Sequence, residues 1–207
     1  MMGQVDALLQ YVRAGGPVMV PLVAATFLLW YVLGLRAATL RRGSRLDLRQ
    51  MVERSRRGRL GRPNGLIDRA VRSAVNVARR HPTLDRASLR RALDDVLGKH
   101  DREMRRGRVV VQSIVASAPL AGLLGTVTGM IETFDSLADA ALFSQSGGIA
   151  GGISQALLTT QMGLSVAVPG LIIGRVLDRR QHNLGRELEQ LKDLLCEQSH
   201  PRTEPSP

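Results

Sequence analysis

The chain has 207 residues and a formal net charge of +11, from 29 Lys and Arg against 18 Asp and Glu. Lys99 and Lys192 are its only lysines, so arginine carries nearly all of the positive charge. The single cysteine excludes a disulfide framework and a cysteine-based zinc cluster, because both need several thiols. The mean hydropathy is close to zero, but apolar and charged residues lie in separate blocks along the chain.

Three uncharged runs are long enough to cross a lipid bilayer. They occupy residues 14–35, 109–131 and 140–174, and they hold 22, 23 and 35 residues. A helix rises about 1.5 Å per residue and the hydrocarbon core is about 30 Å thick, so roughly 20 residues suffice. The third run begins with a part rich in Ser, Gln and Gly, and we therefore place its span at 149–174. Three such helices favour a membrane protein, because too little chain remains to cover them in water.

The first run is interpreted as a retained anchor rather than a cleaved signal peptide. The residues before it include Asp6 and Arg13, no A-x-A cleavage site follows it, and a dense arginine tract comes next. We therefore expect all three spans to remain in the mature protein.

The distribution of charge predicts the orientation of the spans. Residues 36–108 hold 22 Lys and Arg against 8 acidic residues, whereas residues 132–139 hold acidic charges only. Positively charged loops stay in the cytoplasm. The predicted layout is an outer N-terminus (1–13), transmembrane helix 1 (14–35), a basic helical cytoplasmic domain (36–108), transmembrane helix 2 (109–131), a short outer loop (132–148), transmembrane helix 3 (149–174), and a cytoplasmic C-terminal helix with a disordered tail (175–207).

The basic character has two competing explanations. A basic surface can bind nucleic acid or anionic lipid. No zinc finger, RNA-binding aromatic motif or base-stacking platform accompanies the arginines, so we expect no nucleic acid partner. We expect the arginines to set the topology and to lie near anionic lipid headgroups.

A soluble enzyme is the weakest interpretation of this sequence. The stretch GGIAGG lacks the strand and helix that a phosphate-binding loop requires, and the four histidines are scattered along the chain. No nucleophile, base and orienting group recur together. We therefore expect no catalytic residue, no metal site and no cofactor.

Apolar residues also recur at helical spacing outside the spans, over 66–78, 89–104 and 177–195. Pro82 separates the first two stretches, and Asp85 is the predicted N-cap of the second. From Asp85 onward we predict one helix that continues into the second span, and a second long helix that continues out of the third. The predicted fold class is an all-α membrane protein with three transmembrane helices, two of them extended into the cytoplasm as a long helical bundle.

The second span has one face made of small residues. Ser117, Ala121, Gly125 and Gly129 recur at every fourth position. Small faces let membrane helices approach closely, so that backbone packing replaces the hydrophobic drive that lipid removes. Pro119 lacks a backbone donor and is expected to kink or loosen this helix.

The third span combines small and polar residues. Gly152 and Gly163 are small positions, and Pro169 is a second expected kink. We take five polar side chains as a candidate proton pathway. Four lie on the two spans, Thr126, Gln155, Thr159 and Thr160, and Thr133 follows the second span, seven residues after Thr126 and close to the same stripe. A threonine in a membrane helix can bond its own preceding turn, but a glutamine cannot be hidden in that way. A polar interface or lumen lined by helices is therefore expected.

None of the three spans contains an ionisable residue between its ends. A proton pathway needs a group that takes up and releases charge near the middle of the membrane, whereas Thr and Gln can only relay or orient. If the protein handles protons, another chain must supply the carboxylate.

Two motifs resemble the paired signatures of the MotA/TolQ/ExbB family. They are SAPLAGLLGTVTGMIETF at 117–134 and GGISQALLTTQMGLSVAVPGLIIG at 151–174. The resemblance implies a ring of identical subunits, a pentamer, in the bacterial inner membrane, with the N-terminus in the periplasm and the C-terminus in the cytoplasm. It also implies that the ring encloses a dimeric single-span partner of the ExbD or TolR type, with one essential membrane aspartate. Proton flow then drives work on a TonB- or TolA-type protein.

The resemblance can be carried to individual residues. Thr126 and Thr160 match the pore-facing threonines of the family, and Pro119 and Pro169 match its prolines. Gln155 stands where ExbB proteins commonly have Glu, and an amide cannot titrate. The function implied is an ExbB-like subunit that energises TonB-dependent outer-membrane transport. The alternatives are a TolQ-like subunit for envelope integrity or cell division, and a non-conducting membrane scaffold, which Gln155 favours.

Overall fold

The structure is a computed structural model that describes residues 6, 10–43, 46–58, 65–80, 82, 84–143 and 147–199. Within these ranges it is helical and contains no strand. The helices are α1 (Met19–Thr39), α2 (Leu48–Arg56), α3 (Leu66–Arg80), α4 (Arg86–Arg105), α5 (Arg108–Phe143) and α6 (Gly147–Ser199). The predicted disordered tail from residue 200 lies outside the described residues.

The chain divides into two compact units. The apolar unit consists of Met1–Gly34 and Gly107–Arg175, and the basic unit consists of Leu35–Arg106 and Val176–Pro207. Three helices of the described residues are long and apolar enough to cross a membrane. Two of them contain the expected spans at 109–131 and 149–174, whereas the first, Met19–Thr39, begins five residues after the start expected from the uncharged run at 14–35 and ends four residues beyond its end. This confirms an all-helical fold with three long apolar helices.

The apolar unit begins with a tight turn before α1. Residues 10–14 are helical, and the backbone N–H of Gly15 donates to the carbonyl of Tyr11 at 3.2 Å. Gly16 has a φ of 68°, in the left-handed region that favours glycine. Pro119 lies inside α5 and Pro169 inside α6, and both helices continue through their proline.

One predicted helix boundary was wrong. The single helix expected from Asp85 into the second span is divided, because α4 ends at Arg105 and α5 begins at Arg108. Gly107 has a φ of 76°, which a helix interior does not permit and which glycine adopts readily at a helix end. The N-terminal end was predicted correctly, since the Asp85 side chain accepts from the backbone N–H of Ser88 at 2.7 Å.

The other end of α5 also differs from the expectation. The helix continues past Ile131 as far as Phe143, so most of the segment assigned to a short outer loop is helical. Conversely, α6 is continuous from Gly147 to Ser199, which confirms the expected continuation of the third span into a long helix.

The basic unit has an apolar core beneath its arginine-rich surface. The apolar stripes predicted from helical spacing supply this core, with buried side chains on α3, α4 and the C-terminal part of α6, among them Leu66, Ile67, Val71, Leu89, Leu93, Leu97, Leu184, Leu188, Leu191 and Leu195. The chain after α1 caps α3, because the N–H groups of Leu66 and Ile67 donate to the carbonyls of Arg41 and Arg42 at 2.9 and 3.2 Å.

Ion pairs connect the helices of the basic unit with one another and with the segment that follows α1. Arg42 Nε donates to Glu187 Oε2 at 2.8 Å. Lys192 Nζ, on a buried side chain, lies 2.7 Å from Asp94 Oδ1 and 2.6 Å from Glu189 Oε1. Burial alone lowers the pKa of Lys192, but the hydrogen bonds and charges of the two carboxylates outweigh burial and raise it above its ordinary value. The ammonium group therefore stays charged while joining α4 to α6.

His100 is expected to make the stability of the basic unit depend on pH. Its ring is half-buried, and burial lowers its pKa from 6.5, with Arg69 adding to this effect and Glu103 opposing it. Because the folded-state pKa lies below the unfolded value, the stabilisation is complete above pH 6.5 and is lost as the pH falls through the folded-state pKa. Thermal denaturation of the full chain between about pH 7.5 and 5.5 measures this loss of stability.

The loss of stability on acidification should be smaller in His100→Gln and unchanged in His182→Gln, whose side chain is exposed. An equal acid sensitivity in all three proteins would contradict the assignment.

Candidate functional site

The second and third spans contact each other through backbone rather than through large side chains. A methyl group placed on Gly129 would lie 2.6 Å from the carbonyl oxygen of Gly152 and 2.8 Å from the nitrogen of Ala156. One placed on Gly163 would lie 2.7 Å from the carbonyl oxygen of Ala118. Such distances leave no room for a side chain, so α5 and α6 are a closely packed pair of the small-residue type.

The small face is rotated relative to the one expected. Gly125 and Gly129 lie in the contact, but Ser117 is exposed and Ala121 is only half-buried. Ala118 and Gly122 occupy the contact in their place. The physical reason is the helical period. Steps of four residues drift around a helix of about 3.6 residues per turn, so a contact stripe must alternate steps of three and four.

Two predicted pathway residues are enclosed between these helices. Thr159 is fully buried beside Gly125, and its hydroxyl is 3.1 Å from the carbonyl oxygen of Gln155 and 3.0 Å from that of Ala156. Thr133 is 7% exposed and donates to the carbonyl of Gly129 at 2.8 Å. Both hydroxyls therefore bond within their own helix and fill space in the α5–α6 contact.

The other two threonines are partly exposed. Thr126 donates to the carbonyl of Leu123 at 2.6 Å, and Thr160 donates to that of Ala156 at 3.2 Å. Each donation satisfies the hydroxyl hydrogen within the helix, but a hydroxyl oxygen has two lone pairs that still accept. Of the four threonines, Thr126 and Thr160 are the ones able to receive a donor from outside the chain.

Gln155 is buried and has a defined hydrogen-bond partner. It is 8% exposed, and its Nε2 donates to Oε1 of Glu132 at 3.0 Å. A methyl group on Gly16 would lie 2.5 Å from the same nitrogen, so the turn before α1 closes over the amide. The structure thus brings together Gly16, Glu132 and Gln155 next to the buried threonines of the α5–α6 contact.

Glu132 is a candidate site residue that the sequence analysis missed. It was assigned to an outer loop because it follows the last uncharged residue of the second span. The spacing of Thr126 and Thr133 contained the signal, since two residues seven apart share a stripe only if the helix continues through Glu132. In the described part of the chain, no group of three His, Cys, Asp or Glu side chains could hold a metal ion.

The outer face of α5 is apolar and exposed within the chain. Its large side chains follow the alternating steps of four and three residues that are typical of a helix-packing seam, at Leu120, Leu124, Val127, Ile131 and Phe134. A contiguous apolar surface of this kind meets lipid or another apolar helix rather than water. Fold and site together define a helical membrane protein. Its second and third spans pack closely, backbone against backbone, and carry neutral polar side chains.

Comparison with known proteins identifies the family. The model of the MotA/TolQ/ExbB proton channel family matches residues 63–190, more than half of the chain, and the chain belongs to this family. The chain is 41% identical over 100 residues to the "Putative biopolymer transport protein ExbB-like 1" of Synechocystis sp.. The aligned segment covers 47% of this chain and 39% of that protein. It is 31% identical over 109 residues to the biopolymer transport protein ExbB of Pseudomonas putida, over 53% of this chain and 32% of that protein. The matched segments thus span less than half of both relatives.

Proposed function

We propose that the chain is a ring subunit of an inner-membrane motor driven by the proton-motive force. It works with a single-span partner of the ExbD or TolR type and energises TonB-dependent outer-membrane transport. The observation that carries the proposal is a polar but neutral pair of spans. Residues 109–131 and 149–174 contain no ionisable side chain, while Thr126 and Thr160 keep partly exposed hydroxyls. Such a surface can orient and relay a proton but needs a carboxylate from a second polypeptide.

The close packing of α5 and α6 supports a motor of this kind. Helices in contact along their backbones form a stiff pair, because neither can shift without moving the other. Thr126 and Thr160 would then be held on a rigid wall while a partner helix turns against it. The exposed apolar seam of α5 is available for lipid or for neighbouring copies in a ring, which we propose to be a pentamer.

The basic unit would lie in the cytoplasm, with the N-terminus in the periplasm. This orientation rests on the arginine content of residues 36–108. The exposed arginines at the end of α4 and just after it, Arg102, Arg105 and Arg106, are suited to anionic lipid headgroups. The long helix α6 would extend the third span into this cytoplasmic bundle.

Replacing either of the partly exposed threonines is expected to stop proton transfer without dismantling the complex. Thr160→Val and Thr126→Val keep shape and volume but remove the oxygen that accepts from outside, and we expect proton flux to fall by roughly 10²-fold. The complex purified through a tag on this chain, reconstituted into vesicles with an entrapped pH-sensitive dye, measures the flux. Thr128→Val is the matched control on α5, because the Thr128 hydroxyl donates to the carbonyl of Gly125 on another side of the helix. Normal flux in both exposed variants would contradict the proposal.

The partner is tested by purifying the tagged chain from the membranes of its own host. A co-purifying small protein with a single span and an aspartate early in that span is the expected result. Isolation of the chain as a water-soluble monomer without detergent would overturn the proposal.

A second candidate function is a membrane scaffold that conducts no ions, or a TolQ-like role in envelope integrity. The neutral amide at Gln155 favours the scaffold, because it removes a titratable group from the third span. A complex that assembles and works equally well after the proton gradient is collapsed would support the scaffold instead.

A further inference from the structure

Glu132 is an acidic residue on a helix of the apolar unit, not on a loop. α5 continues through it to Phe143. Its Oε1 accepts the hydrogen bond from Nε2 of Gln155 at 3.0 Å. Because Gln155 lies on α6, this hydrogen bond joins the two closely packed helices just beyond the contact between Gly129 and Gly152.

The amide of Gln155 is held in one orientation. Its side chain is 8% exposed, and the backbone of Gly16 closes one side of it, where an added methyl group would meet both Nε2 and Cδ. Glu132 occupies the donor side. An amide neither gains nor loses a proton in this pH range, so Gln155 is a permanent donor directed at the carboxylate.

The other side of the carboxylate is open. Glu132 is exposed, and it takes no part in the ion pairs found among the described residues. The charged groups nearest in sequence on the elements around it are Asp135 on α5 and Arg13 before the turn, both exposed, while the apolar part of α6 has none before Arg175. The site therefore has one buried neutral donor and one exposed carboxylate side chain.

We propose that Glu132 is the proton-accepting residue that this chain itself contributes to the pathway, with Gln155 as its positioning residue. This inference rests on the proposed function and adds a second titratable group to the one supplied by the partner. In the carboxylate form, Oε1 keeps the hydrogen bond from Gln155. A hydronium ion gives its proton to Oε2, where an O–H bond forms and water is left. That O–H bond then breaks as the proton passes to the partner's carboxylate, which restores the charge on Glu132.

The first test needs no variant. Dicyclohexylcarbodiimide reacts with protonated carboxyl groups, and mass spectrometry of the full-length wild-type complex locates the adduct. We expect labelling of Glu132 when the reaction is run at several pH values. Absence of labelling at Glu132 across the pH range would overturn the inference.

The second test measures proton flux through the reconstituted complex. Glu132→Gln should lower the flux at least about tenfold with the oligomer unchanged, Asp135→Asn should leave it unchanged, and the exchanged pair Glu132→Gln/Gln155→Glu should recover part of it. Equal flux in Glu132→Gln and the wild type would overturn the inference alone. No flux through the wild-type complex, together with labelling of Glu132, would overturn the proposed function alone.

Discussion

Gly129→Ala is expected to destabilise the apolar unit far more than its size suggests. The added methyl group would lie 2.6 Å from the carbonyl oxygen of Gly152 and 2.8 Å from the nitrogen of Ala156, both of them backbone atoms. A backbone atom cannot rotate away as a flexible side chain can, so α5 and α6 must separate along part of their contact. Overpacking of this kind costs about 1–3 kcal/mol, and separation of the helices would also weaken the hydrogen bond between Glu132 and Gln155.

Gly151→Ala is the matched control for this substitution. Gly151 lies on α6 beside Gly152, but a methyl group placed on it meets nothing within 4 Å. Since alanine is also the better helix former, this variant should be as stable as the wild type or slightly more stable. The thermal midpoint and the yield of a single oligomeric species in detergent measure both proteins. The same midpoint in Gly129→Ala, Gly151→Ala and the wild type would show that the contact is looser than described.

The spans and the helical stripes could be predicted from sequence because both are local properties. The length of an uncharged run is sufficient to predict a span. The apolar stripes of α3, α4 and α6 follow from spacing alone, and the N-cap at Asp85 follows from the residue type. These features need no knowledge of which helices meet.

The helix break at Gly107 could not be predicted with the same reasoning. Gly98 and Gly107 both lie in the stretch after Asp85 that is helical by its spacing. Gly98 stays inside α4, whereas Gly107 has a φ of 76° and lies at the break. A glycine tolerates both conformations at little cost. The packing around the glycine decides which conformation it adopts, and that packing cannot be derived from local spacing in a single sequence.

The candidate site was only partly predictable for a related reason. Polar residues on the second and third spans were identified by type, but their separation into buried Thr133 and Thr159 and partly exposed Thr126 and Thr160 depends on the rotation of α5 against α6. Glu132 was missed because the end of the uncharged run was taken as the end of the helix. A helix can continue beyond the point at which its membrane-spanning part ends, so the end of the uncharged run does not fix the end of the helix.

The second large effect is expected from the ion pair that holds the end of α1 in the basic unit. Arg36 is 3% exposed, and its Nη2 donates to Oδ1 of Asp178 at 3.0 Å and to Oε1 of Gln181 at 2.9 Å. Asp178→Ala would leave the buried guanidinium with the neutral amide as its partner. Breaking a buried pair costs about 3–5 kcal/mol, and we expect about 2 kcal/mol because Asp178 is 27% exposed.

The control for this prediction is the exposed ion pair between Arg90 and Asp193. Its side chains are 48% and 62% exposed, so Asp193→Ala should change the free energy of unfolding by less than about 1 kcal/mol.

The double variant Arg36→Met/Asp178→Leu should be more stable than Asp178→Ala, because removing both charges leaves no buried charge without a counterion. Thermal denaturation of the full chain in detergent, followed by circular dichroism, measures all three variants. If Asp178→Ala and Asp193→Ala shift the midpoint equally, burial of Arg36 is not what makes its ion pair important. If the double variant is the least stable, the pair itself, rather than the charge left behind, supplies the stabilisation.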